Sequence, residues 1–150
     1  MIHHLSVKID FRRVLSHFLN CIAMAYFILQ NRRLPKQAVS CFKFQEGTVN
    51  TSSYISIKIR GKEEIIPFKD NKEIVPIKER LISIFPDFVK VGNSYIKKTM
   101  FREYKPVSRP DENVHYILFK TSFGSIKIRF NNEEDLKKEL ASMDQLFDVE

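Results

Sequence analysis

With 150 residues, a hydrophobic fraction of 43% and thirteen Phe, the chain is long and apolar enough to bury a core, which excludes an intrinsically disordered protein. Its formal charge of +7 is unevenly spread: residues 1–62 carry ten Lys/Arg against two Asp/Glu, residues 63–88 four against six, residues 89–130 nine against three, and residues 131–150 two against seven. A basic body with an acidic C-terminal element points to an anionic partner, because clustered Lys/Arg attract polyanions over long range.

Residues 2–9 alternate in the manner of a short strand, with Leu5, Val7 and Ile9 on one side. Asp10 then suits the N-cap of a helix from Phe11 to about Arg33. Its stripe is Phe11, Val14, Leu15, Phe18, Ile22, Ala25, Tyr26 and Leu29, and Cys21, Met24, Phe27 and Ile28 carry apolar character round most of the circumference. A helix of that kind is usually enclosed, so the expectation is a long N-terminal helix with a sheet wrapped around it. Arg32 and Arg33 suit the negative end of its dipole and Pro35 stops it. Ala23-Met24-Ala25 has the form of a cleavage site, but Ser16, His17 and Asn20 interrupt the apolar run, which reads as a buried helix rather than a signal peptide. It also falls short of the roughly 20 apolar residues of a membrane span.

Three strand candidates follow. Ser40–Gln45 is one. Tyr54–Arg60 alternates, with Ile55, Ile57 and Ile59 inward and Tyr54, Ser56, Lys58 and Arg60 outward. A turn at Gly61-Lys62 leads into Glu64–Lys69, giving a hairpin whose Pro67 marks an edge strand. Pro76–Phe85 is expected as a short helix ended by Pro86. Phe88–Val91 and Tyr95–Lys105 read as extended, joined at Gly92-Asn93, and Pro106–Asn113 as a flexible loop. Val114–Thr121 and Ser125–Phe130 form a second hairpin around Phe123-Gly124. Asn132 caps a final helix, Glu133–Leu146, whose first turn carries Glu133, Glu134 and Asp135 as the dipole prefers. The expected fold class is a single α+β domain over residues 1–150: a long N-terminal helix packed against a mainly antiparallel sheet, with a C-terminal helix.

The basic strands supply the candidate binding residues. Lys58 and Arg60 on the first hairpin and Lys127 and Arg129 on the second occupy equivalent outward positions, and Tyr54 adds an aromatic. If the hairpins share a sheet, they make a basic surface with stacking capacity of the kind single-strand binders use. A further basic group, Lys97, Lys98, Arg102, Lys105 and Arg109, surrounds the predicted loop. His17 and Cys21 share a helix face, but a mid-helix thiol among apolar side chains is a packing residue rather than a nucleophile. His3 and His4 would point to opposite faces of a strand, and neither the four histidines nor the two cysteines, Cys21 and Cys41, have metal-site spacing. No metal or cofactor is expected on these grounds. The cysteines read as core thiols in a reducing, intracellular (cytoplasmic) compartment.

One stretch bears on catalysis. Pro86-Asp87 is followed sixteen residues later by Glu103-Tyr104-Lys105, which resembles the PD-(D/E)xK pattern of restriction-endonuclease-like nucleases. The resemblance implies that Asp87 and Glu103, with Glu79 as a further helix acid, would hold Mg²⁺ or Mn²⁺ while Lys105 assists the attacking water. There is no Walker-type loop and no GxGxxG. The sequence therefore supports a small non-catalytic binding or accessory protein whose basic surface engages an acidic protein or a nucleic acid, with a metal-dependent nuclease as the alternative. A homodimer is a further candidate assembly if the sheet leaves the apolar helix uncovered.

Overall fold

The computed structural model describes residues 25–150. The readings for residues 2–9, for the helix from Phe11 to Met24, and for His3, His4, His17 and Cys21 lie outside the described residues.

The C-terminal third of the expected N-terminal helix is a β-hairpin. Strand β1 (Tyr26–Leu29) pairs antiparallel with β2 (Arg32–Pro35), and Gln30 and Asn31 between them both take positive φ, 48° and 64°. Two successive positive-φ residues make the two-residue turn whose twist matches a hairpin. Over β1 exposure alternates, Tyr26 and Ile28 out, Phe27 and Leu29 in, so the apolar run obeys period two. A run this short and this apolar fits either period, and its neighbours decide between them. Phe27, Leu29 and Leu34 are 3–6% exposed and join the main core, each burial worth about 1.5–3 kcal/mol. The expected long helix with a sheet around it is thus corrected: strands hold 48% of the described residues, and they form three sheets accompanied by two short α-helices.

At the centre is a five-stranded antiparallel sheet built from β3 (Val39–Gln45), β4 (Ser53–Ile59), β5 (Lys62–Phe68), β6 (Phe88–Val91) and β7 (Ser94–Lys97), in the order β5-β4-β3-β7-β6. One face carries Phe42, Ile55, Ile57, Ile59, Ile66, Phe68 and Tyr95, covered by helix α1 (Asn71–Ile84) through Ile74 and Leu81 and by the β1–β2 hairpin. Phe42 sits among rings, 5.1 Å from Tyr95, 5.4 Å from Phe88 and 5.6 Å from Phe85. Pro67 lies on β5, an edge strand; the hairpin guards that edge through Gln30 Nε2, which donates to the Pro67 carbonyl at 2.9 Å, and through an Arg32–Glu64 ion pair.

Helix α1 starts at Asn71 rather than at Pro76, because the Asp70 carboxylate accepts from the Lys72 amide and caps it there. Pro76 therefore sits inside the helix. The β4–β5 turn is one residue earlier than expected, at Arg60-Gly61, with φ of 52° and 78°. Arg60 is consequently a turn residue, not an outward strand residue.

The other face of the central sheet meets a second layer. Strands β8 (Phe101–Arg109), β9 (Val114–Thr121) and β10 (Gly124–Arg129) form a three-stranded antiparallel sheet ordered β10-β9-β8, and helix α2 (Glu133–Leu146) follows. Ile117, Phe119, Leu136 and Met143 bury against Val89, Val91 and Ile96 of β6 and β7. The expected strand Tyr95–Lys105 is split by a 3-10 turn at Lys98–Met100 into strands of different sheets. The expected loop Pro106–Asn113 is corrected as well: β8 runs on to Arg109, and only Pro110–Glu112 turns, ending on Asn113 in the left-handed region. Pro106 is tolerated because β8 is an edge strand. Asn132 caps α2, its side-chain oxygen accepting from the Asp135 amide at 2.8 Å. Among the described residues no helix is long and apolar enough to cross a membrane.

Candidate functional site

Successive residues of a strand point to opposite faces, so the register of β8, β9 and β10 sorts their side chains. Tyr104 and Ile126 lie opposite Phe119, and Ile128 opposite Ile117; these residues pack with Leu136, Leu140, Met143 and Phe147. Tyr104 also donates from its hydroxyl to Asp144 of α2 at 2.8 Å. Helix α2 therefore covers this inner face.

The opposite face carries Glu103, Lys105, Val107 and Arg109 on β8; Val114, Tyr116, Leu118 and Lys120 on β9; and Ser125, Lys127 and Arg129 on β10. No element among the described residues belongs to a core cluster with this face. Glu103, Lys105, Arg109, Ser125, Lys127 and Arg129 are exposed, and Val107, Val114, Tyr116, Leu118 and Lys120 half-buried. Cross-strand rows follow from the register: Lys105, Leu118, Lys127 in one, Val107, Tyr116, Arg129 in the next, and Glu103, Lys120, Ser125 in a third. The arrangement is an apolar line along β9 with cations on both flanking strands.

Among the described residues, five cations share this face with one carboxylate. Glu103 accepts from Lys120 at 2.6 Å; that hydrogen bond, the Lys120 charge and the more distant Lys105 charge hold its carboxyl below the usual carboxylate range. Arg109 meets Glu112 of the adjoining turn at 3.7 Å, both side chains largely exposed, a contact of little energetic weight. Among the described residues no carboxylate lies within ion-pair distance of Lys105, Lys127 or Arg129. Lys127 instead places its ammonium 4.9 Å from the centre of the Tyr116 ring, a cation–π contact.

The other candidate residues scatter. The two basic hairpins do not share a sheet: Tyr54 and Lys58 belong to the five-stranded sheet, Lys127 and Arg129 to the three-stranded one. Tyr54 and Lys58 lie on the face of β4 turned away from α1, and Lys58 holds its ammonium 4.6 Å from the Phe123 ring centre. Lys58, Arg60 and Phe123 line an open cavity of 510 Å³ beside the β9–β10 turn. Lys97 ends β7, half-buried. Lys98 serves the fold: its ammonium donates to the Leu146 carbonyl at 2.7 Å and lies 5.5 Å from the Phe147 ring, closing the negative end of α2. Arg102 is exposed at a register shift in β8.

The nuclease constellation is not assembled. Glu103 and Lys105 do share a strand face, but the cross-strand partner of Glu103 is Lys120, a cation. Asp87 precedes β6 of the other sheet and offers its backbone carbonyl to the Lys98 amide at 3.1 Å, while Glu79 lies on α1, across the central sheet. Among the described residues no group of three His, Cys, Asp or Glu could hold a metal ion. His115 is buried, its Nδ1 2.8 Å from the Ser108 hydroxyl. Burial pushes the Cys41 thiol pKa up, with Glu63 adding to the rise and Lys58 and Lys43 opposing it, so this cysteine is poorly set for thiolate chemistry.

Sequence reasoning missed Tyr116, Leu118 and Lys120 as surface residues. Their signal was the alternation of Val114–Thr121, but alternation leaves open which set faces out when Tyr116, Leu118, Ile117 and Phe119 are all apolar or aromatic. Comparison with protein-family models, with curated proteins and with solved structures gives no significant match.

Proposed function

We propose that the protein is a small non-catalytic binding or accessory protein that engages an anionic macromolecule through the outer face of its β8–β9–β10 sheet. The observation that carries this reading is the five-to-one excess of Lys/Arg over carboxylate on one sheet face that no other described element packs against. Its acidic counterweight, α2 with Glu133, Glu134 and Asp135 in its first turn, packs on the reverse side of the same sheet. A face so arranged keeps its field toward solvent and draws polyanions toward it.

The experiment is charge reversal. The triple variant Lys105→Glu/Lys127→Glu/Arg129→Glu alters exposed side chains only and keeps the fold, as circular dichroism and thermal melting check. Its affinity for heparin and for oligonucleotides drops, and the slope of log Kobs against log[salt] becomes shallower by about one for each cation that met a phosphate or sulfate. Equal binding by a folded triple variant and the parent protein would remove this face from the reading.

A further inference from the structure

We infer that the partner of this face is a single-stranded nucleic acid whose bases lie along β9, stacked on Tyr116, with its phosphates on the cations of a flanking strand. The inference rests on the basic-face reading and adds the chemistry of the ligand. Charge selects a polyanion: among the described residues, Lys105 and Arg109 on one side and Lys127 and Arg129 on the other share the face with one carboxylate, Glu103, which Lys120 engages, and the adjoining turn sets the exposed Glu112 beside Arg109. The centre line selects among polyanions. Val114, Tyr116 and Leu118 form an apolar strip one strand wide, about 4.8 Å from the strand on either side. A single strand has bases on one edge and phosphates on the other, so it can cover the strip and meet one cationic row together. A duplex hides its base faces and would leave strip and ring without a partner. An acidic peptide would satisfy the cations, but its carboxylates and amides offer the ring no aromatic face to stack on.

Tyr116 is half-buried, and its ring is met by the ammonium of the exposed Lys127 side chain, a group that can move aside. An incoming base takes that position while a phosphate takes up the ammonium, so both groups keep a partner in the complex. Stacking of base on aromatic tolerates any base; among the described residues this face carries no Asn or Gln for base-edge readout, and its two guanidinium forks, Arg109 and Arg129, lie on the flanking strands where the phosphates run. The inference is therefore of binding with little sequence preference.

The test is fluorescence anisotropy with four labelled probes: short oligo(dT), an abasic strand with the same number of phosphates, the duplex of the same length, and an acidic peptide. Oligo(dT) is expected to bind tightest; Tyr116→Ala weakens it roughly 5- to 100-fold, Tyr116→Phe restores it, and the abasic strand is indifferent to both changes. As a second readout in the unaltered protein, the Tyr116 ring protons move upfield when oligo(dT) is added. Equal affinity for oligo(dT) and the abasic strand, or tighter binding of the duplex, overturns the stacking inference and leaves the basic face standing. Binding of an acidic peptide with no binding of any oligonucleotide overturns it in favour of a protein partner. Failure of every polyanion to bind at low salt overturns the basic-face reading as well.

Discussion

Tyr104 joins the two parts of the second layer. Its hydroxyl donates to Asp144 of α2, and its ring lies 5.8 Å from Phe119 and 5.3 Å from Phe147. Burial, then the hydrogen bond to Asp144 and its negative charge, push the phenol pKa up to about 12 from 10.0. A folded-state value above the unfolded one means that the neutral phenol stabilises the fold fully below pH 10.0, and that this stability is lost as pH rises toward about 12. Tyr104→Phe should flatten the loss of stability over that interval, measured by urea melts at successive pH values. At neutral pH it should cost about 0.5–1.5 kcal/mol for the missing hydrogen bond. A phenylalanine variant with the same alkaline profile as the parent would show that another group titrates there. At this scale the sequence was only half legible. Lys127 and Arg129 read correctly as outward strand residues, and Glu103 and Lys105 as sharing a face. Tyr116 could not be distinguished from the apolar residues beside it, since a half-buried ring has the same composition signal as a core ring.

At the scale of elements, caps and interior prolines tell opposite stories. Asn132 announces α2 by its position before three acidic residues, and the structure starts that helix there. Pro76 misplaces α1, because proline is commonest in the first helical turn, whereas here the Asp70 cap and the buried Ile74 start the helix five residues earlier. Pro76 then removes the amide that would bond the Lys72 carbonyl and crowds that carbonyl. The side chain is exposed and supplies no core packing in return. Pro76→Ala should therefore stabilise the protein by roughly 1–3 kcal/mol, read as a higher melting temperature; an unchanged or lower value would mean that the helix does not run continuously through this position. The β1–β2 hairpin makes the related point for strands: Tyr26–Leu29 reads as the end of an apolar helix until the positive φ of Gln30 and Asn31 is known.

Over the whole molecule, charge is separated by a layer. The basic residues of β8–β10 face one side of the three-stranded sheet and α2 packs on the other, so the acidic helix does not shield the basic face within the molecule. Deleting residues 131–150 would be a poor probe of that separation, because it removes Leu136 and Met143 from the core and uncovers Ile117 and Phe119, each at most 1% exposed. That truncated chain should fail to fold cooperatively. The informative variant is Glu133→Gln/Glu134→Gln/Asp135→Asn, which keeps the packing and gives up favourable dipole contacts, roughly 0.3–1 kcal/mol each, together with the exposed Glu133–Lys137 ion pair at 3.5 Å, a contact of little energetic weight. Its affinity for a labelled polyanion should stay within about twofold of the parent's at physiological ionic strength, where the screening length is about 8 Å. A larger gain measured by anisotropy would mean that α2 does compete for the basic face.

Local chemistry alone determined a good part of this protein. The strands near 40–45, 54–59, 114–121 and 125–129, the edge character of Pro67, and the capped acidic helix at 133–146 are all legible because period-two alternation, turn glycines and capping side chains act between near neighbours in the chain. Tertiary structure decided the rest. Either basic hairpin could have joined either sheet with its alternation intact, so the sequence could not say that Lys58 and Lys127 would part company. The apolar stretch ending at Leu29 could serve either period until it met α1 and the edge of β5. Which side of β8–β10 the described residues leave uncovered was settled only by where α2 lands, a contact between parts of the chain whose cost and gain no local window contains.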